Sequence, residues 1–293
     1  PMARPNKTAS PDQPARSGAA QMIDYFAAQL AASRVSEAVD AAQEIMFDAW
    51  ECDDPRRRVS LAREAIETSP DCADAYVLLA QETAKTPEQA VELYGQGVAA
   101  GQRALGAAAF TEDVGMFWGL LETRPYMRAR LGLAMALWNA GHPDEAIVHG
   151  QQMLDLNPND NQGVRYIVLN WLQQLGRDAD ADRLLRRYKD DGGTEWAWPA
   201  ALAVFRRRGD GPASRRALAR AVQANRHVAP LLLKRKRLPK RRPPYVTLGG
   251  SDEAAAYVEA AMISWTSTLG AMEWLGVAID KVGPARLPRH RGR

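Results

Sequence analysis

The string ETRPYMRAR at residues 122–130 holds the side chains best suited to binding a charged group. Arginine carries a planar guanidinium that can hold a carboxylate through two parallel hydrogen bonds. If Pro125 opens a helix, as proline does at a first turn, Arg128 lies about one turn from the start. Arg124 and Tyr126 lie nearby, just before it in the chain. The segment is therefore a candidate site for an acidic group.

A second candidate segment is LNPNDNQGVRY at residues 156–166. Pro158 ends one helix, and Asp160 or Asn161 can cap the next by accepting backbone N–H bonds. A ligand contact by Asn161 is the alternative to this capping role. The predicted partner-binding residues of the chain are Arg124, Tyr126, Arg128, Asn161, Gln162, Arg165, Tyr166 and Trp196.

These residues also have a purely structural interpretation, which the sequence leaves open. The arginines can pair with Glu122, Asp160 or other acids and so link neighbouring helices. Trp196 can stack on a ligand, or it can be buried like the other tryptophans of the chain, which occupy apolar helical positions.

The strongest electrostatic feature is the segment 206–242, which contains fourteen Lys and Arg and one acid, for a net +13. Because the whole chain carries +3, the remainder carries −10. Contact with phosphates of RNA, the ribosome or DNA is the functional interpretation. An acidic protein partner or a solvated loop are the alternatives. The candidate nucleic-acid-binding residues are Lys234, Arg235, Lys236, Arg237, Lys240, Arg241 and Arg242.

No pattern in the sequence indicates catalysis, a metal or a cofactor. His142 and His149 have no carboxylate at a zinc spacing, and phosphate-binding loops and hydrolase motifs are absent from the sequence. Cys52 and Cys72 are too few for a disulfide framework, which predicts reduced thiols in a cytoplasmic protein. Because these motifs are missing, we expect a non-catalytic protein. No apolar run in the sequence is long enough to span a bilayer, so we also expect no membrane segment.

Helical periodicity dominates from about residue 20 onward, with no sustained alternation typical of strands. A hairpin of two helices is predicted over 126–159, with Gly141 at its corner and Ala146 where the two helices cross closely. The pattern recurs 35 residues later, where Gly176 matches Gly141 and Ala181 matches Ala146. Residues 101–123 form an insertion, predicted as an extended helix followed by a loop.

The string GHPDEAIVHGQQMLDLNPND at 141–160 resembles the second half of a tetratricopeptide (TPR) repeat. The strings at 122–130, 156–166, 204–210 and 225–230 resemble an uncharacterised bacterial TPR family, with a distant relation to the eukaryotic suppressor-of-tumorigenicity seven proteins. The resemblance covers about residues 60–275. It implies a solenoid whose first helices line a concave groove, in which Arg128, Gln162, Arg165 and Tyr166 lie on or near the surface that binds peptide carboxylates in other TPR proteins.

The sequence therefore predicts an all-α, TPR-like α-solenoid of helix-turn-helix repeats over residues 21–279. A disordered tail at 1–20 precedes it, a basic loop at 234–250 and a capping helix at 251–279 close it, and a basic tail at 280–293 follows. The expected function is a protein–protein interaction scaffold that binds a peptide or protein in the groove. The alternative is a nucleic-acid- or ribosome-associated protein that uses residues 206–242.

Overall fold

The structure, a computed structural model, describes residues 35–239, 241 and 246–282. The predicted tail at 1–20, Lys240, Arg242 and residues 283–293 lie outside the described residues. Within the described ranges the chain forms thirteen helices and no strand, which confirms the all-α prediction. They are α1 (Glu37–Glu51), α2 (Pro55–Thr68), α3 (Ala73–Thr83), α4 (Pro87–Glu112), α5 (Arg124–Asn139), α6 (Pro143–Leu156), α7 (Val164–Gln174), α8 (Asp178–Arg187), α9 (Thr194–Arg208), α10 (Pro212–Ala224), α11 (Val228–Leu232), α12 (Ser251–Ser267) and α13 (Ala271–Val282).

Consecutive helices pack in pairs, from α1 with α2 through α9 with α10. The first helices of successive pairs also touch, α1 with α3, α3 with α5 and α7 with α9. Between the third and fourth pairs, Trp138 and Trp171 stack with their ring centroids 4.9 Å apart. Each pair thus covers the apolar side of its neighbour, and the molecule is an α-solenoid.

The two predicted corners are equivalent. Gly141 and Gly176 have φ of 83° and 68°, in the left-handed region that glycine enters without steric cost. The residue after each glycine donates its N–H to the carbonyl five residues earlier, His142 to Leu137 at 2.9 Å and Arg177 to Leu172 at 2.8 Å. Ala146 and Ala181 are fully buried. These corners confirm the repeat of 35 residues.

The insertion also forms as predicted. Helix α4 runs for 26 residues and is interrupted at Gly106, where φ is 72°. The loop that follows buries Phe117 against the rings of Phe110 and Tyr126, at centroid distances of 5.2 and 6.0 Å. The insertion is therefore anchored to α5 by aromatic packing.

The C-terminal cap differs from the prediction of one helix over 251–279. It consists of α12 and α13, which are separated at residues 268–270, where Gly270 has φ of 73°. Leu269 lies in this break and is 97% exposed. Trp265 of α12 is fully buried and donates from Nε1 to the hydroxyl of Tyr257 at 2.9 Å. The two helices cover α9 and α10.

Helices α4 and α5 approach closely at Gly101, and this contact gives a matched test of the packing. A Cβ at Gly101 would lie 2.9 Å from Cβ of Tyr126 and 3.1 Å from its Cα. A Cβ at Gly95, on the same helix, would meet no atom within 4 Å. We predict that Gly101→Ala lowers the free energy of unfolding by about 1–3 kcal/mol, since backbone must move. Gly95→Ala should raise it by about 0.5–1 kcal/mol through helix propensity.

Urea denaturation, followed by the helical circular-dichroism signal, measures the free energy of unfolding of both variants. Equal effects of the two substitutions would contradict the described helix contact.

Candidate functional site

Two adjoining cavities open along the first helices of the hairpins. The larger, about 380 Å³, lies among α3, α4 and α5, and the smaller, about 210 Å³, lies among α5, α7, α9 and α12. Met135 lines both and is 39% exposed. We call the larger the α5 cavity, the smaller the Glu195 cavity, and the two together the trough. The trough-lining residues used below are Gln81, Arg128, Met135, Tyr166, Ile167, Asn170, Trp171, Glu195, Pro199 and Tyr257.

Arg128 lines the α5 cavity, but its guanidinium is engaged within the protein. Its Nε donates to Oδ1 of Asp74 at 2.8 Å, and its Nη2 donates to Oδ2 of the same residue. The Asp74 side chain is fully buried, and the guanidinium lies 5.2 Å from the ring centroid of Trp50. Arg128 therefore links α5 to α3 and α1, as the structural interpretation of the sequence predicts.

Arg165 is engaged in the same way by two acids. Its Nη1 donates to Oδ2 of Asp160 at 3.0 Å, and its Nε donates to Oδ2 of Asp191 at 2.8 Å. Its Nη2 donates to the hydroxyl of Tyr166 at 2.6 Å, and that hydroxyl donates to Asp191 at 2.8 Å. The guanidinium also lies 4.3 Å from the ring centroid of Tyr166 and 5.3 Å from that of Tyr188.

Within this network the pKa of Asp191 is lowered and that of Tyr166 is raised. Burial alone would raise the pKa of Asp191, but the N–H of Gly193, the Tyr166 hydroxyl and the Arg165 guanidinium together hold it below its usual value. Burial, followed by the hydrogen bond to Asp191, raises the pKa of Tyr166 to about 12. The network is therefore a charged carboxylate held by a neutral phenol and a guanidinium.

Asp160 caps the following helix as well. Its carboxylate accepts hydrogen bonds from the backbone N–H of Val164 at 2.8 Å and of Arg165 at 2.9 Å. Of the two capping residues that the sequence allowed, the structure selects Asp160. Asn161 is exposed and Gln162 is half-buried, and neither lines the trough.

Two predicted ligand contacts must be corrected, because their rings are inside the protein. Tyr126 is 1% exposed and packs edge-on against Phe110. Trp196 is 3% exposed and lies edge-on to the rings of Tyr166 and Tyr188. Both side chains pack in the core between neighbouring helices, and neither lines the trough.

Arg124 lies outside the trough too. Its Nε donates to the carbonyl oxygen of Trp118 at 3.0 Å, and its guanidinium lies 5.5 Å from the ring of that tryptophan. It holds the insertion loop against the start of α5.

Glu195 is a site residue that the sequence analysis did not identify. It lies in the first turn of α9, is half-buried, and lines the Glu195 cavity. Its carboxylate makes no hydrogen bond or ion pair with the described residues. Burial, with smaller contributions from Glu253 and Asp191, raises its pKa, against the attraction of Arg165. An acid in a first helical turn is common, so nothing in the local sequence distinguishes it.

The basic segment 206–242 is divided between structural and exposed cations. Arg206 donates to Asp178, to Thr268 and to the backbone carbonyls of Gln173 and Ser264, so it joins α9 to α12 and to the start of α8. Other members form ion pairs on the surface. These pairs are Arg207 with Asp182, Arg215 with Asp210, and Arg235 with Asp280.

The remaining described cations of the predicted nucleic-acid site are exposed and are not drawn together into one cavity. They are Lys234, Lys236, Arg237 and Arg241. A different set of arginines lines a groove of about 240 Å³ between α9 and α10. We call this groove the basic groove. Its arginines are Arg207, Arg208, Arg216 and Arg220.

Within the described residues, no helix is both long enough and apolar enough to cross a bilayer. The same residues contain no cluster of three or more potential metal ligands.

Comparison with known proteins shows similarity to one family. Residues 30–118 match the family model described as ST7 protein. The chain is 29% identical over 262 residues to the suppressor of tumorigenicity 7 protein-like of Bos taurus, covering 79% of this chain and 45% of the relative. It is 28% identical over 286 residues to the suppressor of tumorigenicity 7 proteins of Macaca fascicularis and Rattus norvegicus, covering 82% of this chain and 53% and 49% of those relatives.

These similarities support the relation to suppressor-of-tumorigenicity seven proteins that the sequence strings indicated. The chain spans about half the length of the curated relatives it matches.

The buried and exposed arginine pairs of this fold provide a direct comparison. Arg128→Ala leaves the fully buried carboxylate of Asp74 without its cation, and we expect a loss of about 3–5 kcal/mol in the free energy of unfolding. Arg103→Ala breaks a pair with Asp71 in which the arginine side chain is 54% exposed, and should cost about 0.2–1 kcal/mol.

Chemical denaturation at neutral pH measures both losses. A loss for Arg128→Ala no larger than that for Arg103→Ala would show that the Arg128–Asp74 pair does not link the hairpins.

Proposed function

We propose that this protein is a non-catalytic interaction scaffold, whose TPR-like hairpins bind a peptide or a segment of a partner protein in the trough. The observation that carries the proposal is the continuity of the trough. Its two cavities share Met135 and together extend across the first helices α3, α5, α7 and α9 to the cap helix α12.

The lining of the trough suits an extended or helical peptide. Half-buried Ile167 and exposed Met135 offer apolar surface, while the buried indole of Trp171 forms part of the wall. Amide side chains at the same surface, Gln81 and Asn170, can hydrogen-bond to a peptide backbone. Apolar surface with a few polar groups is the usual character of a binding cleft.

The arginines contribute to binding indirectly in this proposal. Arg128 is held by Asp74 of α3, and Arg165 is held by Asp160 and Asp191 in the loops before α7 and α9, so neither presents a free fork to a peptide carboxylate. Arg128 fixes α5 against α3, and Arg165 fixes α7 against the loop that precedes α9. A trough with fixed walls loses less conformational entropy on binding.

We also propose a cytoplasmic location, on the basis of the thiols. Cys52 and Cys72 are free, and Cys72 is buried. Burial raises the pKa of Cys72 to about 11, so the thiol stays protonated and unreactive at neutral pH. Unpaired cysteines are typical of reducing compartments.

A random-peptide phage library provides the test of the trough. We expect it to yield peptides whose affinity falls roughly tenfold or more for the double variant Met135→Gln and Ile167→Gln, because both side chains lose apolar contact. Val148→Gln is the matched control, an exposed apolar residue on α6 outside the trough. Isothermal titration calorimetry measures the affinities. Selected peptides that bind the double variant as well as the wild type would contradict the proposal.

The second candidate function is nucleic-acid binding, and the basic groove is the observation that favours it. Arg208, Arg216 and Arg220 are exposed on its rim and form no ion pair with described residues. Phosphate contacts by such arginines would release counterions and make binding depend on salt.

A labelled poly(U) oligonucleotide tests this candidate. If it is correct, replacing Arg208, Arg216 and Arg220 with alanine should reduce the slope of log affinity against log salt by about 2, at roughly 0.7 for each single-strand phosphate contact. Alanine at the exposed Arg56, Arg57 and Arg63 of α2 is the control for total charge. Absence of binding at low salt, or an equal change in the control, would exclude the groove as a nucleic-acid site.

A further inference from the structure

The unbalanced charge of the trough is opposite in sign to the positive charge that the sequence predicts there. The charged residues that line it are Arg128 and Glu195. The positive charge of Arg128 is balanced by the buried carboxylate of Asp74. Glu195 has no such partner among the described residues. The unbalanced charge of the trough is therefore a carboxylate.

The surroundings of Glu195 add to this negative charge. Among the described residues, the carboxylates of Asp191 and Glu253 disfavour the charged form of Glu195. Arg165 favours it, but Arg165 already pairs with two carboxylates, those of Asp160 and Asp191. Glu253 accepts hydrogen bonds from Thr194 and Asn225, which contribute no charge. A half-buried carboxylate in such a field is unfavourable without a cation nearby.

The walls of the Glu195 cavity also suit a cation with an apolar stem. Tyr166, Trp171 and Tyr257 contribute aromatic surface, and Met135, Ile167 and Pro199 contribute aliphatic surface. Aromatic rings attract lysine and arginine head groups, while the methylene stems of these residues pack on apolar walls. The cavity, at about 210 Å³, is a side-chain-sized space and not a groove for a whole segment.

We propose that the Glu195 cavity receives a basic side chain, lysine or arginine, from the peptide that binds in the trough, with Glu195 as its counter-ion. This inference rests on the proposed scaffold function and adds the chemical class of the peptide. The TPR resemblance implies that cations of the protein bind a carboxylate of the peptide. In this proposal the charges are exchanged, because a carboxylate of the protein binds a cation of the peptide.

The test begins with the peptides from the random library whose binding depends on Met135. They should share a lysine or arginine at one position, and replacing it with norleucine or citrulline should weaken binding to the wild-type protein about tenfold or more. This measurement alters only the peptide, so it does not depend on the folding of a variant.

Glu195→Gln then identifies the counter-ion. It should weaken binding of the basic peptide about tenfold or more, and should leave binding of the norleucine or citrulline peptide nearly unchanged. Glu67→Gln, at an exposed position of α2 outside the trough, removes the same charge and should alter neither affinity.

The possible outcomes separate the two proposals. Met135-dependent peptides with no conserved basic residue, or a basic peptide that binds Glu195→Gln as tightly as the wild type, would overturn this inference and leave the scaffold function standing. A library that yields no Met135-dependent peptide would overturn both.

Discussion

The arrangement of this protein depends on carboxylates that lie between hairpins and hold arginines of a neighbouring hairpin. Asp74 of α3 is fully buried and holds Arg128 of α5 by two hydrogen bonds. Asp191, in the loop before α9, holds Arg165 of α7 together with the hydroxyl of Tyr166. A buried carboxylate is costly unless its cation stays in place, so each pair fixes the spacing of two first helices. The Arg128–Asp74 pair also cancels the positive charge that Arg128 would otherwise bring to the trough.

Aromatic packing completes the walls that these pairs position. The stacked indoles of Trp138 and Trp171 join the third hairpin to the fourth, and Trp196 fills the space between Tyr166 and Tyr188. At the end of the solenoid, Trp198 and Trp265 are fully buried between α9 and α12. The trough is thus bounded by fixed side chains, with Met135 and Ile167 left for a partner and with Glu195 as its unbalanced charge. The proposed occupant, a peptide that is both apolar and basic, matches this surface.

The sequence predicts the repeat well because its signals are local. Gly141 and Gly176 must adopt a left-handed conformation, and Ala146 and Ala181 must be small where helices cross, so their equal spacing defines the hairpins. The relation to suppressor-of-tumorigenicity seven proteins was likewise indicated by short strings. The break between α12 and α13 was missed, since Gly270 follows an apolar residue, Leu269, that continues the helical pattern.

The site was harder to predict because its contacts are distant in sequence. Asp74 and Arg128 are 54 positions apart, and no spacing rule joins them. The sequence identified Arg128, Arg165 and Tyr166 as important residues, but it could not decide between ligand binding and internal pairing, which depends on tertiary contacts. Trp196 is among the predicted partner-binding residues for the same reason, because only the tertiary contacts show that its ring is buried. Glu195 has ordinary local sequence, and its role follows from the cavity that four separate helices form around it.

A double-mutant cycle on Arg165 and Asp191 tests most directly whether internal carboxylates hold the arginines. The free energy of unfolding would be measured for the wild type, Arg165→Met, Asp191→Asn and the double variant. Both side chains are largely buried, at 17% and 12% exposure, so we predict a coupling energy of about 1.5–3 kcal/mol. Additive effects of the two substitutions, with a coupling energy near zero, would contradict the account.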